Sequence, residues 1–321
     1  FYLKDYIEKQ TLSNFRVVAE ISENAYLAHI EALKTRTVDW SSDGYIRDMI
    51  EKILNTDEAG RVPLKLELGA YLSDVKIHYD PSVIIIDVLD DSGLVMASSR
   101  DGRIGENEKM EAEEANSNIF DEAMNGKFGE AFISSPTIEM EEFSESMTHA
   151  MARVFSDQKM SADNQTPLNA VLLIHFADAK RLSELLLSGW QDKENALAGR
   201  VSHEYYKTAE VYLVDKDKRV ITPSYFAGNM KLEREADIKP VRACLENHQE
   251  IAEEYDNYAG LSVVGASMCL KRDNLTLIVE AQSKEVFQFL ADLHFRLIVA
   301  AILTWLVSAV IIIVLTNLLL K

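Results

Sequence analysis

A segment of 24 residues near the end of the sequence, 297–320, contains no charged residue. At a rise of about 1.5 Å per residue, a helix of this length measures about 36 Å, which is enough to cross a bilayer with some tilt. A buried core helix would instead carry polar residues along one face. We therefore predict a transmembrane helix at 295–320 that contacts the lipid bilayer. The polar residues within the uncharged segment are Thr304, Ser308, Thr316 and Asn317.

The whole sequence is acidic, with 52 Asp and Glu residues against 33 Lys and Arg and a net charge of -19. Phosphate binding needs clustered Lys and Arg, so a nucleic-acid partner is excluded. No P-loop, GxSxG, HExxH or GxGxxG motif occurs, so the chain is not predicted to be an enzyme, and any catalytic output would lie after residue 321. The seven histidines form no HxxxH pair, and neither a metal site nor a cofactor is predicted.

The first part of the chain has the pattern of consecutive helices. Apolar residues recur at helical spacing from residue 3 to about residue 40 without Pro or Gly, which predicts one long amphipathic helix. Ser42 or Asp43 can cap a second helix that runs through Ile53. A further helix is predicted at 63–79.

A strand pattern follows and then returns later in the chain. The β-branched run 83–89, a tight turn and the strand 94–96 predict a hairpin. The pattern returns at 211–221, where Asp215 corresponds to Asp90, and the segments 173–180 and 277–284 align without a gap. Two tandem copies of one α/β unit are therefore predicted. The first copy has further predicted strands at 128–138, 147–155 and 170–176 and a helix at 178–190.

This organisation resembles the double-Cache family of extracytoplasmic sensor domains. The resemblance covers about the whole chain and implies an α+β fold. That fold has a long N-terminal helix, two tandem PAS-like units with antiparallel sheets, and a C-terminal transmembrane helix. The segments that carry the resemblance are LKTRTVDWSSDGYIRD (33–48), IDVLDDSGLVMASS (86–99), VYLVDKDKRVITPS (211–224) and EEYDNYAGLSVVGASMCL (253–270).

The resemblance also implies a domain division and a function. It divides the chain into two N-terminal helices at 1–62, a membrane-distal unit at 63–192, a membrane-proximal unit at 193–292 and the membrane helix. The distal unit of such proteins binds a small molecule, and the long helix forms a homodimer. The helices then transmit a shift to a cytoplasmic histidine kinase, chemoreceptor or nucleotide-cyclising output. The alternative is a membrane-anchored interaction or dimerisation domain that has no small-molecule ligand.

The start of the sequence supports an expectation about topology. The chain opens directly in helical sequence, with neither an initiator Met nor a signal peptide. We therefore expect another membrane helix upstream of residue 1 and residues 1–294 outside the cytoplasm.

One departure from the family concerns its amino-acid-binding members. These resemble one another at an Arg-x-Trp-Tyr cluster and at an Asp that ends the last strand of the distal unit. The cluster does not occur here, and the repeat alignment places the Asp position on Phe176 in the distal unit and on Glu280 in the proximal one. An ammonium group needs a carboxylate partner to leave water. An amino-acid ligand is thus not implied, although the neighbouring Asp178 could supply the carboxylate.

The strand at 147–155 provides the candidate ligand site. Its alternation places His149, Met151 and Arg153 on one face, while small residues occupy the other. A buried Arg153 would need an anion such as a carboxylate or a phosphate. The competing interpretation, which we prefer because Arg is seldom fully buried, is that Arg153 reaches solvent or pairs with Asp157. If the pocket exists, its small ligand is anionic or polar, and the predicted binding residues are Arg153, His149, Met151 and Asp178, with Phe132 and Phe176 as apolar walls.

The two cysteines, Cys244 in a predicted helix and Cys269 in a predicted strand, leave two interpretations open. Outside the cytoplasm they could form a disulfide. They could also be two buried free thiols, which behave as small apolar side chains. We prefer free thiols, because a bridge needs Cα atoms within about 7 Å and the sequence does not show that distance.

Overall fold

The computed structural model describes residues 2–110, 118–139, 145–156, 166–177, 181–186, 206–222 and 235–319. Within these segments the side chains of 137–139, 145, 289, 291, 294, 309–311 and 313–319 are left undescribed. Asp157 and Asp178 lie outside the described residues, and so does part of the helix predicted at 178–190.

Three helices open the chain. The first two, α1 (Tyr2–Ser41) and α2 (Gly44–Asn55), confirm the predicted long helix and its successor, and the Asp43 carboxylate caps α2 by accepting from the backbone N–H of Ile46 at 3.1 Å. The third, α3 (Glu58–Tyr71), continues into a π-helical stretch (Leu72–Ile77). It begins before the predicted residue 63, because Asp57 caps it through the N–H of Gly60. The predicted boundary after residue 62 therefore falls inside α3.

The first unit is built on one antiparallel sheet. Its elements are β1 (Val83–Asp90), β2 (Val95–Ser98), α4 (Ile119–Met124), β3 (Phe132–Ile133), β4 (Thr137–Glu139), β5 (Glu145–Ser156) and β6 (Thr166–Ala177). The strand order is β2-β1-β6-β5-β3, and β4 also pairs with β5. The single strand expected at 128–138 is thus two short strands that both pair with β5.

The second unit repeats this topology. Its elements are β7 (Glu210–Val214), α5 (Lys239–Asn247), β8 (Ala252–Asp256), β9 (Ser262–Leu270) and β10 (Leu275–Gln282), in the strand order β7-β10-β9-β8. In both sheets the first strand lies beside the last, and the last lies beside the one before it. A bridge between Val214 and Val220 reproduces the returning strand of the first hairpin. Two helices end the described part of the chain, the short α6 (Ser283–Val286) and the long α7 (Gln288–Leu319).

The helix α1 packs against one face of both sheets. Phe15, Tyr26 and Ile30 are fully buried against the second sheet, and farther along the helix Leu33 and Trp40 are buried against the first. Each sheet therefore has an inner face, which contacts α1, and an outer face, which does not. The helix is long because one continuous apolar surface serves two cores.

The turn between β9 and β10 joins the two units. The hydroxyl of Tyr26 on α1 donates to the Asp273 carboxylate at 2.9 Å, and the hydroxyl of Ser135 in the first unit donates to the Asp273 carbonyl at 2.8 Å. This one turn therefore contacts both the long helix and the neighbouring unit.

The cysteines are paired, so the preferred interpretation of two free thiols is wrong. Cys244 on α5 and Cys269 on β9 form a disulfide with Cα atoms 5.5 Å apart. The packing of α5 on the outer face of the second sheet sets this distance, which only the tertiary structure reveals. The bridge fastens α5 to that face.

Residues 295–319 of the predicted membrane segment lie in α7, and Leu320 lies outside the described residues. Among the residues that the structure describes, no helix has both the length and the apolar character needed to cross a bilayer.

The disulfide leads to a stability prediction. Replacing both cysteines, Cys244→Ala with Cys269→Ala, should lower the free energy of unfolding by about 2–4 kcal/mol, because the unfolded chain regains the entropy of an open loop. Chemical denaturation of the chain in detergent, followed by circular dichroism, measures this loss. Reductant should weaken the parent protein to a similar extent and leave the double variant unchanged. Alkylation of both thiols without reductant would contradict the bridge.

Candidate functional site

The outer face of the first sheet carries four of the candidate ligand residues, Phe132, His149, Met151 and Arg153. Cross-strand pairing places His149 opposite His175 and Met151 opposite Leu173, so these side chains share a face. The helix α4 covers the apolar part of this face. The apolar residues that pack there are Leu89, Val95, Ile119, Phe120, Ala123, Met151, Val171 and Leu173.

Beside this apolar part lies a cluster of buried charged groups. One carboxylate oxygen of Asp87 accepts from Arg103 Nε at 3.0 Å and lies 3.2 Å from His175 Nε2. The same guanidinium pairs closely with Glu108 and reaches Glu106 at 3.1 Å. The strands β1 and β6 position Asp87 and His175, while the loop after β2 supplies the other groups. We call Asp87, Arg103, Glu108 and His175 the buried charged cluster.

Pairing makes the burial of these charges possible. Asp87 is fully buried, and the other three members are each less than a tenth exposed. Burial alone would raise the pKa of Asp87, but the hydrogen bond to His175 and the charge of Arg103 outweigh it and lower that pKa below its usual value. Burial likewise acts to lower the pKa of Arg103, yet Asp87 and Glu108 raise it overall. The guanidinium therefore stays charged and holds both carboxylates.

The histidine of the cluster is best described as neutral at pH 7. Burial is the largest effect on His175 and lowers its pKa, and the hydrogen bond to Asp87 only partly opposes this. The His149 ring lies edge-on to the His175 ring, with centroids 4.7 Å apart. At neutral pH His175 thus contributes a hydrogen bond to Asp87 rather than a second positive charge.

The cluster also contains a possible set of metal ligands. One ligand atom each from Asp87, Glu108 and His175 lie within 4.8 Å of one another, and carboxylates with a neutral imidazole are suitable ligands for a divalent cation. However, Arg103 already pairs with both carboxylates. An ion would have to displace this guanidinium, so the arrangement fits a closed ion-pair cluster better than a metal centre.

Arg153 is half-buried, and its guanidinium binds backbone carbonyls, while the alternative partner Asp157 lies outside the described residues. Its Nε donates to the carbonyl of Leu168 at 3.2 Å, and Nη1 donates to the carbonyl of Met124 at 2.6 Å. Burial lowers the pKa of the guanidinium. Because Met124 is the last residue of α4, Arg153 fastens the end of that helix to the sheet. Among the described residues no acidic side chain pairs with it.

The structure brings some of the predicted site residues together and separates one. Met151 and Phe132 pack on the outer face near Arg153, as the alternation indicates. Phe176 instead lies opposite Thr148 and is fully buried on the inner face, against the helices. Its assignment as a wall of the same pocket is therefore corrected, since neighbours across strands share a face.

Sequence reasoning missed most of the buried charged cluster. Asp87 did carry a signal, because it is the only charged residue in the apolar run 83–89 and a charge inside a buried strand needs a partner. His175 carries a similar signal, because it is a polar residue inside the apolar strand β6. Arg103 and Glu108 belong to a polar loop and carry no pattern that marks them out.

Solved structures show which class of protein has a similar fold, whereas sequence comparisons find no relative. No protein-family model matches the sequence, and no curated protein is significantly similar to it. The structure resembles the sensor domain of the Vibrio cholerae histidine kinase DctB with a TM-score of 0.53 and 14% identity, covering 86% of this chain and 98% of that chain.

Two further structures are similar at lower scores. The periplasmic domain of RsbU from Chlamydia trachomatis has a TM-score of 0.49 and 9% identity, covering 90% of this chain and 99% of that one. The ligand-binding domain of the Pseudomonas fluorescens chemoreceptor CtaA, solved with L-isoleucine, has a TM-score of 0.41 and 10% identity, covering 90% and 97%. At these identities the similarity concerns the fold alone. The chain therefore has the fold of the DctB sensor domain, in agreement with the sensor-domain fold that the double-Cache resemblance predicted.

The buried charged cluster leads to a prediction about Arg103. Replacing it by Met should lower the free energy of unfolding by about 3–5 kcal/mol at neutral pH, because two buried carboxylates lose their partner. This stability difference between the variant and the parent should shrink as the pH falls from about 7 to about 4, because protonation removes those charges. Urea unfolding across this range measures both effects.

The matched control is Arg272→Met, which removes an exposed guanidinium that lies 3.8 Å from Glu31. It should change stability little, since exposed ion pairs contribute little. Equal effects of the two variants, or a deficit that does not depend on pH, would contradict the assigned role of Arg103.

Proposed function

We propose that the chain is the ligand-sensing region of a transmembrane signal-transduction receptor of the histidine-kinase or chemoreceptor type. The observation that carries the proposal is the connection between the sensor fold and its helices. One helix, α1, packs on both units, and the last strand of the second unit, β10, leads through α6 directly into α7. A change in either sheet can therefore move a long helix.

The proposed ligand site is the outer face of the first sheet, around Arg153, His149, Met151 and Phe132. A small molecule with a carboxylate could replace the carbonyl of Met124 as a partner of Arg153, because a charged acceptor binds a guanidinium more strongly than a carbonyl does. The end of α4 would then lose its attachment to β5. Binding would thus move the helix that covers this face.

The proposed route from this site to the output runs through contacts between the first sheet, α1 and the β9–β10 turn. The inner face of the same sheet packs on α1 and α2, so a shift in β5 reaches the long helix. Tyr26 and Ser135 both bind the turn at Asp273, which connects this helix and the first unit to β10. The proposed signal is a shift of α1 relative to α7.

We further propose that α7 crosses the cell membrane and that residues 1–294 lie outside the cytoplasm. The support is the sequence 297–320, which contains no charged residue. The hydroxyls of Thr304 and Ser308 donate to carbonyls four residues earlier, at 2.7 and 2.9 Å, as suits an apolar surrounding. Exposed apolar side chains described on this helix include Leu297, Ile298, Ile302, Leu303, Trp305, Leu306, Val307 and Ile312.

A homodimer through the N-terminal helix completes the proposal. Most of the apolar stripe on α1 packs on the chain's own units, but Tyr2, Leu3 and Tyr6 at its start are exposed, and so is part of Leu27. These side chains are available to a parallel partner helix. The dimer would place the two copies of α7 side by side.

A second candidate function is an interaction domain that binds no small molecule. The observation in its favour is that the buried charged cluster satisfies its charges internally, through Arg103 with Asp87 and Glu108. A ligand site usually presents polar groups to a cavity. Ligand screening distinguishes the two functions.

The ligand prediction concerns Arg153. Screening small carboxylic acids, amino acids and amines against the chain in detergent by thermal shift should identify a carboxylate that binds. Calorimetry should then show that Arg153→Ala weakens binding by about 1.5–3 kcal/mol, the range for hydrogen bonds to charged groups. Arg242→Ala, an exposed change in the second unit, is the control. Unchanged affinity in Arg153→Ala would place the ligand elsewhere, and failure of every compound class would favour the interaction domain.

The topology prediction uses reporter fusions in the native gene. A reporter that is active only outside the cytoplasm, inserted at 156–164, should be active, while one that is active only inside should be silent. A fusion after residue 321 should give the reverse pattern. Cytoplasmic activity at 156–164 would contradict the proposed topology.

A further inference from the structure

Two buried carboxyl groups lie side by side on the outer face of the second sheet. Glu280 on β10 and Glu210 on β7 are directly opposite residues of an antiparallel pair. Such residues share a face, with Cβ atoms about 4.5–5.5 Å apart. Glu280 is fully buried and Glu210 is 3% exposed. Like charges placed directly opposite destabilise a sheet, so this pair needs an explanation.

Hydrogen bonds hold Glu280 in a fixed position. The hydroxyls of Tyr212 and Tyr255 donate to one carboxyl oxygen at 3.0 and 2.7 Å, and the amide of Asn257 donates to the other at 2.7 Å. The opposite residue on β9 is Gly265, where a Cβ would lie 2.5 Å from the Tyr255 hydroxyl and 3.0 Å from Glu280 Cβ. The glycine therefore makes this close arrangement possible.

The other charged and titratable groups around the pair come from several elements. Glu210 itself accepts from the Tyr258 hydroxyl at 3.2 Å, in the turn after β8. From α5, Lys239 is paired with Glu253, and Arg242 lies 3.4 Å from Asp237 at the surface. Among the residues that the structure describes, none of these cations pairs with Glu280.

The surroundings favour the protonated form of Glu280. Burial has the largest effect, the nearby charge of Glu210 adds to it, and together they outweigh the three hydrogen bonds and raise the pKa of Glu280 to about 8. When two carboxyl groups interact this closely, the proton belongs to the pair. At neutral pH the pair therefore holds one proton.

We propose that Glu210 and Glu280 form a proton-binding switch that couples the pH outside the cytoplasm to the C-terminal helix. When the pH rises, the shared proton passes to water and two carboxylates face each other across β7 and β10. Their repulsion acts at the end of the sheet that leads into the output helix. The switch does not depend on the ligand site of the first unit.

The connection to the helix is short. Glu280 lies three residues before Ser283, the first residue of α6, which leads into α7. Glu285 on α6 accepts from the backbone N–H groups of Lys207 and Thr208, at 2.7 and 2.9 Å, just before β7. Separation of β7 from β10 would therefore strain the attachment of α6.

The sign of the pH effect follows from the raised pKa. The folded protein keeps its proton up to about pH 8, while the unfolded chain loses it near the ordinary glutamate pKa of 4.5. The contribution of this group to stability is fully present below about pH 4.5 and is lost as the pH rises through about 8.

The test is infrared spectroscopy and thermal unfolding of the whole chain in detergent micelles. The parent protein should show a protonated carboxyl band at neutral pH that disappears with a midpoint near 8, and its melting temperature should fall over this range. Glu280→Gln should lose the band and flatten the slope, because an amide does not titrate. Glu210→Gln should move the midpoint down by at least about one unit. Glu246→Gln, an exposed change on α5, should keep the parent behaviour.

Hydrogen exchange tests the coupling to the helix. After correction for the intrinsic effect of pH, residues 206–209 and 283–287 should exchange faster above pH 8 than at pH 6 in the parent chain, but not in Glu280→Gln. The absence of a protonated carboxyl band in the parent at neutral pH would overturn the proposal even if Glu280→Gln fails to fold. A band that persists in a folded Glu280→Gln, or exchange that is unchanged in the parent, would overturn it as well.

Discussion

Burial of the α1 stripe against two separate sheets is the constraint on which the rest of the structure depends. Among the described residues, α1 contributes apolar side chains to both cores, and it shares the inner face of the first sheet with α2 and α3. A helix of 40 residues follows from that requirement rather than from strong helix propensity. It also makes the two units interdependent, because Tyr26 packs in one core and Leu33 in the other. A displacement of the helix in one core therefore affects its packing in the other.

The outer faces of the two sheets share one buried polar contact at equivalent positions of the repeat. The hairpin alignment that equates Asp90 with Asp215 also equates Asp87 with Tyr212, and the observed strand pairing then places His175 at the position of Glu280. In both units these two positions hydrogen-bond to each other, Asp87 with His175 and Tyr212 with Glu280. The repeat therefore preserves a buried polar contact at one place in the sheet, although all four residues differ in type.

Much of the fold could be predicted from the sequence, because helix periodicity, caps and β-branched runs are local signals. The candidate site was harder to predict, because the register of the paired strands decides which side chains share a face. The gapless alignment of the last strands equated Phe176 with Glu280, whereas the pairing equates His175 with it. A slip of one residue moves a side chain to the other face, which is why Phe176 was placed in the pocket. Arg103 and the Cys244 bridge depend on tertiary contacts that no local pattern encodes.

Charge compensation separates the roles of the two units. In the first, Arg103 lies between Asp87 and Glu108 and helps to lower the pKa of Asp87, so Asp87 remains ionised through the neutral range. In the second, Glu280 has only neutral donors among its described partners and therefore responds to protons. Since β10 leads to α7 while α1 contacts both cores, a ligand in the first unit and a proton in the second would act on the same pair of helices from different ends.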